Sequence, residues 1–356
     1  MRASRSVVLV AVLAVVFGGC SGFGRKFNRI LPEFLRSDPG ADEVERYQTR
    51  VRVLNRTEEE ARIARAAYDE GRASYEAEDW GAAWPAFESY LKDYPDTPED
   101  KEARLMLARA YRADDEPALA AKAISEFIDR YPISTYNDEI ETLAFELASE
   151  MVAGDHNGLL YSEEDTGIQL FEKLVLAFPN GLHAPTSHWR VANYYFDEER
   201  FLEAEATYAK IVENYPDSEW AARSQFNRGL SLFRGIKGVD YDEQTMTGCE
   251  REFRNYLAKY TEGDRRAEAQ DYIARVREIL CEKQIALADW YRSQDLPRGA
   301  RFYYVRAGRL YPETAAAAVL EERLASLPDT PLEESDGPGP APEDALPAPP
   351  PPGAGP

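Results

Sequence analysis

A chain of 356 residues with 42 Lys and Arg against 64 Asp and Glu carries a formal net charge of −22. That sign excludes duplex-DNA binding by phosphate neutralisation, and 44% hydrophobic residues exclude wholesale disorder. Three Cys and three His leave almost no material for a zinc or haem site, so the balance points to an acidic interaction protein.

The first segment reads as a targeting signal. Arg2 and Arg5 precede an apolar run over 7–17, then Gly18, Gly19 and Cys20. The run is too short to span a bilayer and has the charge and small-residue flanks of a secretory signal. With a Cys directly after two glycines, residues 1–19 resemble a bacterial lipoprotein signal. The resemblance implies that Cys20 becomes the first mature residue and carries acyl chains. Ser21 in place of Asp resembles an outer-membrane address in the sorting rule of enteric bacteria. Residues 20–57 then form a lipidated N-terminus and linker. Within it, 23–38 mixes Arg25, Lys26, Arg29 and Arg36 with Phe27, Ile30, Leu31, Phe34 and Leu35. Such a stretch can lie on a bilayer surface, pack on the first helix or meet a partner.

From 58 to 327 an internal period dominates. An aromatic residue before proline recurs at Tyr94-Pro95, Tyr131-Pro132, Phe178-Pro179, Tyr215-Pro216 and Tyr311-Pro312, with Tyr260-Thr261 filling one gap. The intervals of 37, 47, 37, 45 and 51 residues indicate a unit near 35 with insertions. Ahead of each anchor, small and large apolar residues fall at i, i+4 and i+7: Ala83, Phe87 and Tyr90; Ala120, Ile124 and Phe127; Ala204, Tyr208 and Ile211; Ala300, Tyr304 and Ala307. That spacing is one face of a helix, which the following proline ends. A partner helix precedes each, marked by Leu107, Ala108 and Tyr111, by Val191, Ala192 and Tyr195, and by Leu287, Ala288 and Tyr291. This pattern resembles the tetratricopeptide repeat. The expected fold is all-α: an α-solenoid of about six helical hairpins. Gly-containing inserts at 153–165 and 234–246 read as loops at one edge.

Residues 328–356 hold eleven prolines, six acids and no Lys or Arg. Their composition predicts a disordered acidic tail, either solubilising or docking.

The last three units narrow the resemblance. Residues 218–260 combine an Arg228-Gly229-Leu230 helix, a loop with alternating acids and a Phe253-bearing helix closed by Tyr260. Residues 266–312 then give a long helix running straight into the last hairpin. Over about 185–325 the chain is similar to the BamD (YfiO or ComL) lipoproteins of the outer-membrane β-barrel assembly machinery, and Cys20 fits that family. It departs in having six units where that family has five as a rule. The resemblance implies a non-catalytic scaffold on the periplasmic face of the outer membrane. Its implied partners are the POTRA domains of the barrel-forming subunit and unfolded outer-membrane proteins. Tetratricopeptide lipoproteins of other envelope systems, such as the constriction coordinator CpoB (YbgF) or polysaccharide export, share many of these features and remain the alternative.

In tetratricopeptide stacks the first helix of each hairpin lines the groove. The corresponding positions are Arg65, Tyr68, Arg72 and Tyr75 in the first unit, Arg109 and Arg112 in the second, and Trp189, Asn193 and Phe196 in the fourth. Arginine forks suit carboxylates and aromatic faces suit a bulky apolar side chain. An aromatic residue with a free carboxylate ends many unfolded outer-membrane proteins. Asn193 can bond a peptide amide and carbonyl together. Against this, Glu60, Asp69, Glu70 and Glu76 stand close enough to pair with those arginines. Tyr303, Arg306 and Arg309 are the expected partner contacts of the last hairpin.

No catalytic motif, metal set or cofactor loop is present: no Gly-rich phosphate loop, no HExxH and no Gly-x-Ser-x-Gly. Cys249 and Cys281 are either core thiols or a bridge between hairpins, which sequence leaves open.

Overall fold

The computed structural model describes residues 57–153 and 163–328. The signal at 1–19, Cys20, the linker to 56, the bulk of the first insert and the tail from 329 lie outside the described residues. Among those described the structure is helical, with no strand. The chain divides into two compact units, 1–114 and 115–356.

The first unit holds α1 (Glu58–Glu76), α2 (Trp80–Asp93) and α3 (Asp100–Ala113), with α1 packed on both of the others and α2 on α3. Thr57 opens α1 through a reciprocal capping box: its hydroxyl accepts from the Glu60 amide, and the Glu60 carboxylate accepts from the Thr57 amide. Tyr68, Ala83, Phe87 and Tyr90 are buried at its centre.

The second unit begins with α4 (Pro117–Arg130) and continues through α5 (Asn137–Ala153), α6 (Glu163–Ala177), α7 (Ala184–Asp197) and α8 (Phe201–Asn214). It ends with α9 (Ala221–Gly235), α10 (Glu243–Lys259), α11 (Arg266–Ser293), α12 (Pro297–Leu310), a 3₁₀ turn (Ala316–Val319) and α13 (Leu320–Ala325). Four expected hairpins are present here as packed pairs: α5 on α6, α7 on α8, α9 on α10, and α11 on α12. Each pair packs on the next, which is the arrangement the 35-residue period anticipates. The turn of the second expected hairpin, between α3 and α4, coincides with the boundary of the units.

Two local rules repeat. First, the aromatic residue before proline leaves each helix in the same way: Tyr94, Tyr131, Tyr215 and Tyr311 have φ between −126° and −132° and ψ between 48° and 62°. Proline excludes the helical ψ from the preceding residue. Each tyrosine amide still closes the last helical bond, to the carbonyl of Tyr90, Phe127, Ile211 and Ala307 respectively. Tyr260 stops α10 with similar angles although Thr follows it. Second, the connections α1–α2, α3–α4, α7–α8 and α11–α12 each use a left-handed residue at the same place, seventeen before the proline: Glu78, Asp115, Glu199 and Asp295, with φ of 56° to 60°. Acidic side chains are strained there. Glu199→Gly is therefore expected to raise the unfolding free energy by about 0.5–1 kcal/mol, the relief of left-handed strain less the entropy a glycine adds to the unfolded chain. Urea denaturation beside Glu199→Ala, which keeps the strain, checks this.

The helical triads read from sequence are core: Ala120, Ile124 and Phe127, Ala204, Tyr208 and Ile211, and Ala300, Tyr304 and Ala307 are all fully buried. Helix α11 runs 28 residues without Gly or Pro, about 42 Å, and its Val276, Leu280 and Ala288 join α9, α10 and α12 in one core. Cys249 and Cys281 are free, buried thiols. Cys249 replaces the small residue of other units; it donates to the Gly229 carbonyl at 3.4 Å, and burial pushes its pKa up to about 12.

The second insert is shorter than the sequence suggested. Asp242 accepts from the Thr245 amide at 2.7 Å and caps α10, so the loop spans only 236–242. Its backbone is held from α11: Lys283, buried, donates from Nζ to the carbonyls of Val239 and Tyr241 at 3.1 and 2.9 Å.

Candidate functional site

Arg65 and Arg72 of α1 are committed to neighbouring acids. Arg65 donates to Asp69 at 3.2 Å and Glu99 at 2.8 Å, and its guanidinium lies 5.1 Å from the Tyr68 ring centroid. Arg72 donates to Glu76 at 2.8 Å, which raises its pKa further. Both stay substantially exposed, at 49% and 44% of the side chain. Exposed i, i+4 pairs of this kind contribute little to stability, so an incoming carboxylate can displace them at small cost. Arg109 and Arg112 lie half-buried on α3. Tyr75 is half-buried, edge-on to Trp80 with centroids 5.3 Å apart.

Tyr68 corrects the sequence expectation. It is fully buried against Phe87 and Tyr90, with ring centroids 6.3 and 5.6 Å away, and presents no surface to a ligand. The same holds for Tyr303, which is buried and stacked on Tyr291 at 5.4 Å. In both cases the aromatic ring serves the helix–helix core. Arg306 is half-buried and pairs with Glu243 at 3.2 Å, while Arg309 is exposed.

The fourth-unit residues gather into a more developed arrangement. Trp189 stacks on Trp220, 4.9 Å between centroids and 19° from parallel, and Trp220 donates to Thr186 at 3.0 Å. Phe196 packs edge-on against Phe201. The Tyr208 hydroxyl donates to Asn193 Oδ1 at 2.5 Å and accepts from Asn227 Nδ2 at 3.1 Å. Arg265, at the N-cap of α11, donates to Asn227 Oδ1 at 3.3 Å and to Glu268, and lies 3.5 Å over the Phe226 ring. A polar line thus joins α7, α8, α9 and the start of α11: two asparagines, a tyrosine and an arginine flanked by Trp189 and Phe226. Burial raises the Tyr208 pKa, so the hydroxyl stays protonated as a donor. The Asn193 amide nitrogen has no hydrogen bond among the described residues. Asparagine amides and an arginine fork supply the donors and acceptors of an extended peptide backbone and a carboxylate. Sequence reasoning misses Asn227 and Arg265; Asn227 stands 34 residues after Asn193, one repeat length, and that interval is the signal that finds it.

Beside this line Glu252 is 3% exposed. It accepts from Gln225 at 3.0 Å and from Asn255 at 3.3 Å, and pairs with Arg228 at 3.3 Å and Arg251 at 3.1 Å. Burial alone would raise its pKa, but Gln225, Arg228, Arg251 and Asn255 together hold it below the usual value. No group of three or more His, Cys, Asp or Glu side chains among the described residues is arranged to hold a metal, and no described helix is long and apolar enough to cross a membrane.

Helical hairpins closed by aromatic residues, three of them turning through a left-handed residue at one register, define a helical-repeat protein of the tetratricopeptide kind. The chain belongs to the YfiO family of outer-membrane lipoproteins, whose model matches residues 60–145 and 156–327. Among solved structures it is similar to a tetratricopeptide repeat protein from Parabacteroides merdae, at 12% identity over 74% of this chain and 97% of that one, with a TM-score of 0.29. The TPR2AB domain of yeast Sti1 in its pHSP90 complex is similar at 11% identity over 74% and 97%, with a TM-score of 0.23. No curated protein matches the chain.

Proposed function

We propose that this protein is a non-catalytic scaffold of outer-membrane β-barrel assembly, anchored to the periplasmic face of the outer membrane through acylated Cys20 after loss of residues 1–19. The observation that carries this reading is the YfiO family match across both units. In it, the solenoid of 58–327 holds the barrel-forming subunit through that subunit's POTRA domains, with Arg306 and Arg309 of α12 at the contact. Unfolded outer-membrane proteins bind along the first helices of the hairpins. Arg65, Arg72, Arg109 and Arg112 offer charge to a terminal carboxylate, Tyr75 and Trp189 offer aromatic surface, and Asn193 with Asn227 and Arg265 supports an extended backbone. The segment 20–57 is a linker to the membrane.

The test is photocrosslinking in native membranes with a photoreactive residue at Arg72 or Arg306, read by mass spectrometry. Capture of a POTRA-bearing barrel protein at Arg306 and of barrel precursors at Arg72 is the expected result. Capture of wall-remodelling enzymes or polysaccharide-export components would instead place the protein in another envelope system.

A further inference from the structure

We propose that the exposed face of α12 is a docking surface for this chain's own acidic, proline-rich segment 329–356. In a chain of net charge −22, α12 reads PRGARFYYVRAGRL: four arginines and no acid. Its core side is Ala300, Tyr303, Tyr304 and Ala307, all buried. On the opposite side Arg298, Phe302, Val305 and Arg309 follow i, i+4, i+7 and i+11, one continuous stripe, with Val305 44% exposed. Arg298 and Arg309 are exposed and make no ion pair among the described residues. Arg306 alone has a carboxylate, Glu243. The stripe is therefore a basic surface with an apolar centre whose charges are largely unmatched.

Arg301, at the edge of that stripe, shows where the chain leads next. Its Nη2 donates to the Pro328 carbonyl at 2.8 Å, and its Nε is buried with no acceptor. The chain thus leaves the described residues beside the basic face. The segment beyond Pro328 is complementary to that face: 329–356 contains six acids, four of them within 329–336, and no Lys or Arg. The lengths agree as well. Glu333 lies five residues beyond Pro328, about 16 Å of extended chain, and Arg309 lies eight residues beyond Arg301, about 12 Å of helix rise. Leu332 falls among the acids and can meet Val305. A tether this short supplies an effective concentration on the order of millimolar, and prolines reduce the entropy lost on docking. Contacts too weak to hold a free peptide can therefore hold this one. The surface is α12 alone, and 329–356 is its occupant. If Arg306 and Arg309 also serve the partner proposed above, that partner competes with the segment.

The test places a photoreactive residue at Val305 in the full chain, purified in mild detergent, and maps the crosslinked peptides by mass spectrometry. A mixture of isotopically heavy and light chains separates crosslinks within a chain from those between copies. A crosslink from position 305 to 329–346 within one chain is expected, falling about threefold or more in Glu333→Gln/Glu334→Gln/Asp336→Asn or in high salt. These substitutions lie outside the helices, so the fold is retained. Heavy-to-light crosslinks would overturn the proposal in favour of a second copy as occupant. Absence of a tail crosslink, or a yield indifferent to both charge removal and salt, would overturn it outright.

Discussion

Glu252→Ala is expected to lower the unfolding free energy of the second unit by about 3 kcal/mol, the lower end of the range for removing one partner of a buried ion pair. The magnitude follows from which partner is left stranded. Arg251 is 69% exposed and returns to water at little cost. Arg228 is only 17% exposed, but it keeps Glu205, at 2.9 Å, as a second carboxylate. Gln225 is 4% exposed, and its amide loses the Glu252 side chain while retaining the Glu252 backbone carbonyl at 3.1 Å. Each retained bond trims the loss. Glu252→Gln, which removes charge and keeps shape, is expected to cost about half as much. Because the Glu252 pKa is lowered in the folded protein, its contribution is present above the ordinary Glu value and is lost as pH falls below it. Urea denaturation at pH 7 and at pH 4 should show the Glu252→Ala penalty shrinking at the lower pH.

His188 gives a second, separable acid sensitivity. It is 6% exposed on α7, its Nδ1 is buried without a hydrogen bond, and it lies 5.8 Å from Tyr215. Burial, with a smaller contribution from Lys210, lowers its pKa to about 4 from 6.5. The folded state therefore holds the neutral ring while the unfolded chain takes up a proton. Stability is full above about 6.5 and falls as pH drops towards about 4. Between pH 7 and pH 5 the loss should be about 1–2 kcal/mol, after allowance for partial solvent screening. His188→Leu, which removes both the titration and the orphaned nitrogen, should flatten that part of the profile. Thermal unfolding at pH 7, 6 and 5 measures it, and an unchanged slope in the variant would remove His188 from the account.

Much of the fold is legible because the repeat encodes the same physics each time. A small residue lets two helices approach, large ones fill the space around it, and an aromatic-proline step ends the second helix. Ala204, Tyr208, Ile211 and Tyr215 can be read in that way without any structure. The site is less legible. Tyr68 stands where helical phase alone puts a residue near the border of groove and core, and Tyr303 where a partner face borders the core; a tyrosine can fill either. Packing against Phe87 and Tyr90, and against Tyr291, decides for the core. The pairing of Arg65 and Arg72 with Asp69 and Glu76 is open to view as i, i+4 spacing. Asn227 is hidden for a different reason: register counted back from the unit's closing residue runs through the inserted loop, and only counting forward from Asn193 reaches it. Arg265 acts from outside the repeat pattern, at a helix start, where no period points.

The loop between α9 and α10 shows how an inserted segment can be fixed in place yet left free to vary. Lys283 grips the carbonyl oxygens of Val239 and Tyr241, atoms that every residue type supplies. Substitution at Lys237, Val239 and Asp240 changes what the loop displays without removing those bonds, whereas Gly238, at φ 125°, is held to glycine. The path is governed by a lysine on another helix, the Gly238 turn and the Asp242 cap. Display and position are thus under separate control, and the surface can acquire new partners through substitutions that leave its support untouched.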